Sequence, residues 1–188
     1  VIVAVLTHGW NHDLSRCLES VVQQDLGSFS IGVVVFVDCL ASSAGSLSIP
    51  KELCNRTWVI AGNCGSPTRA RNAVLEYVEE HFPNSKWVMR LDWDDRFSTR
   101  ISIRSALELA ESTGCQFLIG GNNVLDREGR TIRVNNATAD LKDSFWVRNR
   151  LKEMAEGRAG NELPSCNLMI RNHSGLRYPE ASSAEDHW

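Results

Sequence analysis

Three carboxylates, Asp92, Asp94 and Asp95, lie within four residues directly after the apolar run of residues 88–91 and form an acidic cluster. The run is typical of a buried strand, and ligands of an open α/β sheet bind at the carboxyl ends of its strands. Because alternate side chains of a strand share a side, we expect Asp92 and Asp94 to face one cation or phosphate, with Trp93 packed on the opposite face. Acidic groups this close repel one another unless a cation or basic group lies among them. The cluster therefore predicts a metal site, and the alternative is a solvated acidic turn that caps the next helix.

Another carboxylate, Asp38, ends the β-branched run of residues 31–37. At a strand end it can accept hydrogen bonds from a ribose hydroxyl or from an imide such as uracil. Asp38 is therefore a candidate nucleoside contact. The alternative is a polar residue that only terminates the strand.

Two arginines, Arg69 and Arg71, fall in the first turns of a predicted helix. Ser66 and Pro67 match an N-cap followed by proline at the first helical position. The dipole and free N–H groups of a helix amino end favour anions, so a diphosphate contact is predicted there. The alternative is an ion pair with the acidic cluster, and both roles are compatible, because such an arginine keeps the carboxylates ionised.

The elements that must position these residues alternate between strand and helix. Three segments of helical periodicity are expected, around residues 14–22, 67–78 and 99–113. Four apolar runs predict strands, at residues 1–6, 31–37, 57–60 and 86–91. Alternation of this kind predicts an α/β fold, with a mostly parallel sheet and helices on both faces.

The second half of the chain predicts antiparallel pairing. Residues 115–120 and 165–170 are expected to be strands, and residues 124–132 are expected to form a hairpin closed by a glycine-containing turn. Residues 140–156 predict a polar helix.

Composition narrows the class of function. The chain has 20 Lys and Arg against 23 Asp and Glu and no basic block, so we expect no nucleic-acid partner. Its six cysteines form no C-x-x-C pair, which disfavours a zinc ribbon or a redox dithiol. No apolar run approaches the roughly 18 to 20 residues of a membrane span, and no signal peptide precedes the first strand. We expect a cytoplasmic protein, membrane-peripheral only as part of a longer chain.

Short motifs follow one another through nearly the whole chain. In order they are Thr7, Leu18-Glu19-Ser20-Val21-Val22-Gln23, Val34-Val35-Phe36-Val37-Asp38, Gly65 with Ala70-Arg71-Asn72, Leu91-Asp92-Trp93-Asp94-Asp95, Gly175-Leu176-Arg177-Tyr178-Pro179-Glu180 and Glu185-Asp186. Their order and spacing resemble those of the family 2 glycosyltransferases. The resemblance implies a GT-A-type three-layer α/β/α sandwich with a Rossmann-like nucleotide-binding half. It also implies an inverting enzyme that uses a nucleotide-diphosphate sugar, with a UDP-sugar expected, and Mg²⁺ or Mn²⁺.

The resemblance assigns roles to the donor-side residues. The triplet of residues 92–94 becomes the DXD motif, with Asp94 as the direct metal ligand and Asp92 nearer the ribose or the metal's waters. Thr7 and Asp38 become nucleoside contacts. Arg71 becomes the donor contact in preference to Arg69.

An inverting transfer needs a base that takes the acceptor's proton. By resemblance this base is Asp186, and Glu185 orients the acceptor or the base. The alternative is that the two form an acidic pair that only caps a helix.

We expect one catalytic domain over residues 1–188, truncated at its C-terminal end, with a nucleotide-sugar half at 1–98 and an acceptor half at 99–188. The acceptor is a saccharide, another small molecule or a lipid-linked group. Two other classes remain open. A sugar nucleotidyltransferase on a related fold would carry a glycine-rich triphosphate loop after the first strand, which residues 7–11 match poorly. A non-catalytic carbohydrate-binding or scaffold module would bind sugar without turnover.

Overall fold

The computed structural model describes residues 1–8, 12–39, 48–135 and 168–178, together with separate positions between 143 and 158. A six-stranded sheet forms the middle layer, with the strand order β3-β2-β1-β4-β8-β5. Its strands are β1 (Ile2–Thr7), β2 (Gly32–Asp38), β3 (Thr57–Gly62), β4 (Trp87–Asp92), β5 (Phe117–Ile119) and β8 (Leu168–Arg171).

The first four strands are parallel, as predicted. β1, β2 and β4 are buried almost throughout, which explains their continuous apolar sequences, because a parallel strand covered on both faces has no solvent side to alternate with. β3 lies at the edge and is half exposed. The four strands therefore have all their carboxyl ends at one edge of the sheet.

In the part of the chain that the structure describes, three helices cover the two faces of this sheet: α1 (His12–Val22), α2 (Pro67–His81) and α3 (Ser102–Thr113). α1 and α3 pack on one face, where Leu18 and Leu107 join one buried cluster. α2 packs on the other, where Val74 and Val78 join a second cluster. The predicted three-layer arrangement is confirmed.

Local signals set the helix ends. Ser66 caps α2, since its hydroxyl accepts from the N–H of Arg69 at 3.3 Å, and Pro67 opens the helix as predicted. α3 ends at Gly114, whose φ of 64° is left-handed, but begins three residues later than the predicted residue 99. A 3₁₀ helix, Lys51–Arg56, was not predicted.

Antiparallel pairing enters with the second half of the chain, as predicted. β8 runs antiparallel to both β4 and β5. The predicted hairpin is β6 (Asn122–Leu125) with β7 (Thr131–Asn135), and it forms a separate two-stranded sheet. The predicted helix at 140–156 lies largely outside the described residues, although those described at 145–146, 149 and 152–153 are helical. Within the described part of the chain, no helix is both long and apolar enough to cross a bilayer.

Candidate functional site

Three predicted site residues lie at the carboxyl ends of neighbouring strands. Thr7 ends β1, Asp38 ends β2 and Asp92 ends β4. β1 lies between the other two strands, so roughly 10 Å, or two strand spacings, separates the backbones at Asp38 and Asp92. The strand order reverses between β1 and β4, and the crevice beyond such a switch point is where open α/β sheets bind ligands.

Asp38 is held by the loop that precedes α2. The backbone N–H of Cys64 donates to Oδ1 of Asp38 at 2.7 Å, and the His8 ring lies 3.3 Å from the Asp38 carbonyl oxygen. Burial raises the pKa of the Cys64 thiol, the Asp38 charge raises it further, and the Arg69 charge opposes both. Asp38 therefore links the end of β2 to the amino end of α2, while a carboxylate retains further acceptor positions for a ligand.

The partner of Asp92 is Arg90, two residues earlier on β4. Nε and Nη2 of Arg90 donate to Oδ1 and Oδ2 of Asp92 at 3.0 and 2.7 Å. Arg90 is only 6% exposed, so this fork lies in a low-dielectric setting where charge-assisted bonds are strong. Sequence reasoning looked to Arg69 and Arg71 for this ion pair and missed Arg90. A charged residue inside a buried strand, on the same face as the aspartate, was the available signal.

The acidic cluster forms a turn. The N–H of Asp95 donates to the carbonyl of Asp92 at 2.9 Å, and β4 ends at Asp92. Trp93 packs with the α1 and α3 cluster, on the face opposite the Arg90 fork, as predicted. Because β4 ends at Asp92, strand alternation does not set the direction of the Asp94 side chain. Asp94 is exposed, whereas Asp92 is partly buried.

A buried cysteine on α1 contacts the same turn. The Cys17 thiol donates to the carbonyl of Asp92 at 3.6 Å. Burial raises the pKa of Cys17, and the negative charges of Asp95, Asp92 and Asp94 raise it further. The thiol is therefore neutral at ordinary pH, and the acidic cluster lies beside α1.

The donor set fits a hard divalent cation that arrives with a nucleotide. Among the residues that the structure describes, no three His, Cys, Asp or Glu side chains converge as a ready-made metal cage. Mg²⁺ commonly uses only one or two protein carboxylates and completes its shell with substrate phosphates and water. Asp94 is exposed, and Asp92 keeps one lone pair on each oxygen beyond its bonds to Arg90.

The two predicted arginines take different positions on α2. Arg69 is exposed in the first turn. Arg71 is 8% exposed, with its guanidinium carbon 5.6 Å from the centre of the Tyr178 ring. The predicted contact between Arg71 and the donor stays a prediction, and the structure places this residue in the layer between α2 and the sheet.

Several predicted residues lie outside the described part of the chain. These are the predicted base Asp186, its neighbour Glu185, and loop residues 9–11 and 40–47. Their roles stay predictions.

Solved structures of S. aureus TarS resemble this chain. One structure of TarS is 19% identical, with a TM-score of 0.65 over 99% of this chain and 32% of that one. TarS 1-349 in complex with UDP-GlcNAc is 18% identical, with a TM-score of 0.63 over 99% of this chain and 51% of that one. TarS 1-349 in complex with UDP is 18% identical, with a TM-score of 0.63 over 99% of this chain and 52% of that one. This chain spans about half the length of that TarS fragment.

No protein-family model matches the chain, and no curated protein matches its sequence. This chain therefore shares its fold with TarS at low sequence identity. The chain has the α/β fold of the GT-A-type glycosyltransferases.

Proposed function

We propose that this chain belongs to an inverting glycosyltransferase that passes a sugar from a nucleotide-diphosphate sugar, expected to be a UDP-sugar, to an acceptor hydroxyl. The observation that carries the proposal is the placement of Thr7, Asp38 and Asp92 around the switch point of a parallel sheet. The fold shared with TarS, a protein solved in complex with UDP-GlcNAc, supports it.

The nucleoside occupies the crevice between the ends of β1 and β2. Asp38 accepts hydrogen bonds from the base or the ribose, in an orientation kept by its bond from Cys64. Thr7, which is 2% exposed, forms the floor of this crevice. Arg71 contacts the donor on the side of its diphosphate.

The leaving diphosphate lies over the acidic cluster. Asp94 of the DXD motif would hold a Mg²⁺ or Mn²⁺ ion, and Asp92 would orient ribose hydroxyls or the water of that ion. The cation supplies charge neutralisation for the leaving diphosphate. Arg90 holds the Asp92 carboxylate in one orientation while this happens.

The acceptor side is built by the later part of the chain. Asp186 accepts the proton of the acceptor hydroxyl while the hydroxyl oxygen attacks the anomeric carbon. The bond from that carbon to the diphosphate oxygen breaks, and its electron pair goes to the diphosphate. Glu185 orients the acceptor or the base. The acceptor is a saccharide, another small molecule or a lipid-linked group.

Titration calorimetry tests the donor half of this proposal. UDP, GDP and UDP-GlcNAc are titrated into the protein with Mn²⁺ and with EDTA, for the wild type, Asp94→Asn and Glu80→Gln. Glu80 is an exposed carboxylate near the far end of α2, so Glu80→Gln makes the same charge change away from the site. We expect Mn²⁺-dependent binding that Asp94→Asn abolishes and Glu80→Gln preserves.

Equal nucleotide affinity of the wild type and Asp94→Asn in the presence of Mn²⁺ would contradict the proposal. Release of pyrophosphate from a nucleoside triphosphate and a sugar phosphate would instead indicate a nucleotidyltransferase. Metal-dependent binding without donor hydrolysis or transfer to any acceptor would indicate a non-catalytic module.

A further inference from the structure

Two buried arginines lie against one tyrosine. The guanidinium carbons of Arg71 on α2 and Arg90 on β4 lie 5.6 and 5.8 Å from the centre of the Tyr178 ring. Both arginines are less than a tenth exposed, and cation–π contacts are strongest where water is excluded. The ring of Tyr178 therefore contacts both guanidinium groups.

The position of Tyr178 is set by α2. The side-chain amide of Asn72 donates to the Tyr178 carbonyl at 2.9 Å, and the Tyr178 N–H donates back to Oδ1 of Asn72 at 2.8 Å. The neighbouring Arg177 forms a fork with Glu79, also on α2. These bonds fasten Arg177 and Tyr178, which follow β8, along the helix.

Tyr178 reaches the candidate site through Arg90. The guanidinium that lies against the ring is the one that holds both oxygens of Asp92. A cavity of about 20 Å³ lies beside these groups, lined mainly by aliphatic side chains such as Val74 and Ile170, and offers room for about one water molecule. Without the ring this space would enlarge and admit water, and the fork between Arg90 and Asp92 would be free to change its geometry.

Burial raises the pKa of the Tyr178 hydroxyl, although the charge and hydrogen bond of Arg90 and the charge of Arg71 oppose this shift. The hydroxyl therefore stays protonated at ordinary pH. The ring remains a neutral neighbour of the two cations.

We propose that Tyr178 is a positioning residue for the donor site: held by Asn72, it fixes the guanidinium of Arg90 and so keeps the Asp92 carboxylate aimed at the nucleotide crevice. The effect on the nucleotide rests on the proposed function, whereas the effect on Arg90 does not. Tyr178 touches neither donor nor acceptor in this role.

Side-chain hydrogen exchange reports the positioning directly. In the full chain we measure exchange of the Arg90 Nε–H by NMR for the wild type, Tyr178→Phe and Tyr178→Leu. We expect Tyr178→Leu to accelerate exchange by about tenfold or more through local opening, and Tyr178→Phe, which keeps the ring but loses the hydrogen bond between its hydroxyl and Arg90, to accelerate it less. In the same variants we measure UDP affinity with Mn²⁺, and we expect the dissociation constant of Tyr178→Leu to rise about 10-fold or more, as for supporting residues of other metal sites.

Val78→Ala serves as the control for general destabilisation. Val78 is fully buried in the same layer but lies outside the cavity lining. We expect it to lower the melting temperature and leave Arg90 exchange and UDP affinity unchanged. Should Tyr178→Leu fail to fold, Asn72→Ala releases the backbone of Tyr178 with the ring intact, and a smaller acceleration of exchange is expected.

Arg90 exchange that stays at the wild-type rate in Tyr178→Leu, or in Asn72→Ala if the first variant does not fold, would overturn the proposal. An equal acceleration in Val78→Ala would overturn it too. Accelerated exchange in a protein that binds no nucleotide would support the positioning of Arg90 and count against the proposed function, so the two failures are distinguishable.

Discussion

The backbone N–H of Cys64 donates a 2.7 Å hydrogen bond to the carboxylate of Asp38. This bond joins the end of β2 to the loop between β3 and α2, which carries the helix cap Ser66. A candidate nucleoside contact is thus also a structural acceptor. The sequence offered Asp38 as a nucleoside contact or as a strand terminator, and the bond from Cys64 adds a structural role that leaves acceptor positions for a ligand.

Replacing Asp38 separates these two roles. Asp38→Ala leaves the Cys64 N–H without its acceptor, and we expect a loss of roughly 1.5–3 kcal/mol in the free energy of unfolding, the usual range for a hydrogen bond to a charged group. Asp38→Asn keeps an oxygen that can accept from Cys64, so it should lose less stability while still weakening UDP binding. Urea unfolding and calorimetry on both variants check this. An unchanged free energy of unfolding in Asp38→Ala would show that the bond to Cys64 contributes little.

Gly62 is expected to resist substitution because of its neighbour on β2. A Cβ atom at Gly62 would lie 2.6 Å from the ring of Phe36, which is 5% exposed. We expect Gly62→Ala to cost about 1–3 kcal/mol in the free energy of unfolding, the range for overpacking a core. Adding Phe36→Leu should restore space. The double variant should therefore lose less free energy of unfolding than the two single variants lose in sum. Simple additivity in urea unfolding would contradict the clash.

The cysteines are expected to differ in reactivity. Cys17 is fully buried and its pKa is raised, so it holds its proton and is shielded from reagents, whereas Cys54 is exposed. Iodoacetamide at pH 8 should therefore label Cys54 within minutes and Cys17 only after unfolding in urea. Peptide mass spectrometry distinguishes the two sites. Labelling of Cys17 in the folded protein at the rate of Cys54 would show that the layer between α1 and the sheet opens readily.

The predicted base is tested by a substitution that keeps its shape. Asp186→Asn removes the proposed proton acceptor, and we expect donor turnover to fall by about 10²–10⁴-fold, the usual contribution of general base catalysis. UDP affinity with Mn²⁺ should stay near the wild-type value, because the proposed role of Asp186 is towards the acceptor and not the nucleotide. Glu185→Gln, the matched neighbour, should reduce turnover less. Unchanged donor hydrolysis in Asp186→Asn would remove this residue from the mechanism.

The sequence alone determined most strands and helices of this fold, although not the 3₁₀ helix Lys51–Arg56, and the edge of the sheet at which the candidate site lies. Continuous apolar runs predicted β1, β2 and β4, and Ser66 with Pro67 predicted the start of α2, because such signals depend on residues only a few positions apart. The polar residues that end those runs therefore indicated the edge of the sheet where a ligand would bind.

Only the tertiary structure decided which side chains meet there. Asn72 and Tyr178 are 106 residues apart, and Cys64 meets Asp38 only because β3 lies beside β2. The contact of Arg90 with Tyr178 likewise needs β4 packed beside the segment after β8. Strand order and layer packing are set by burial of surfaces from distant parts of the chain, so local spacing could not predict these pairs.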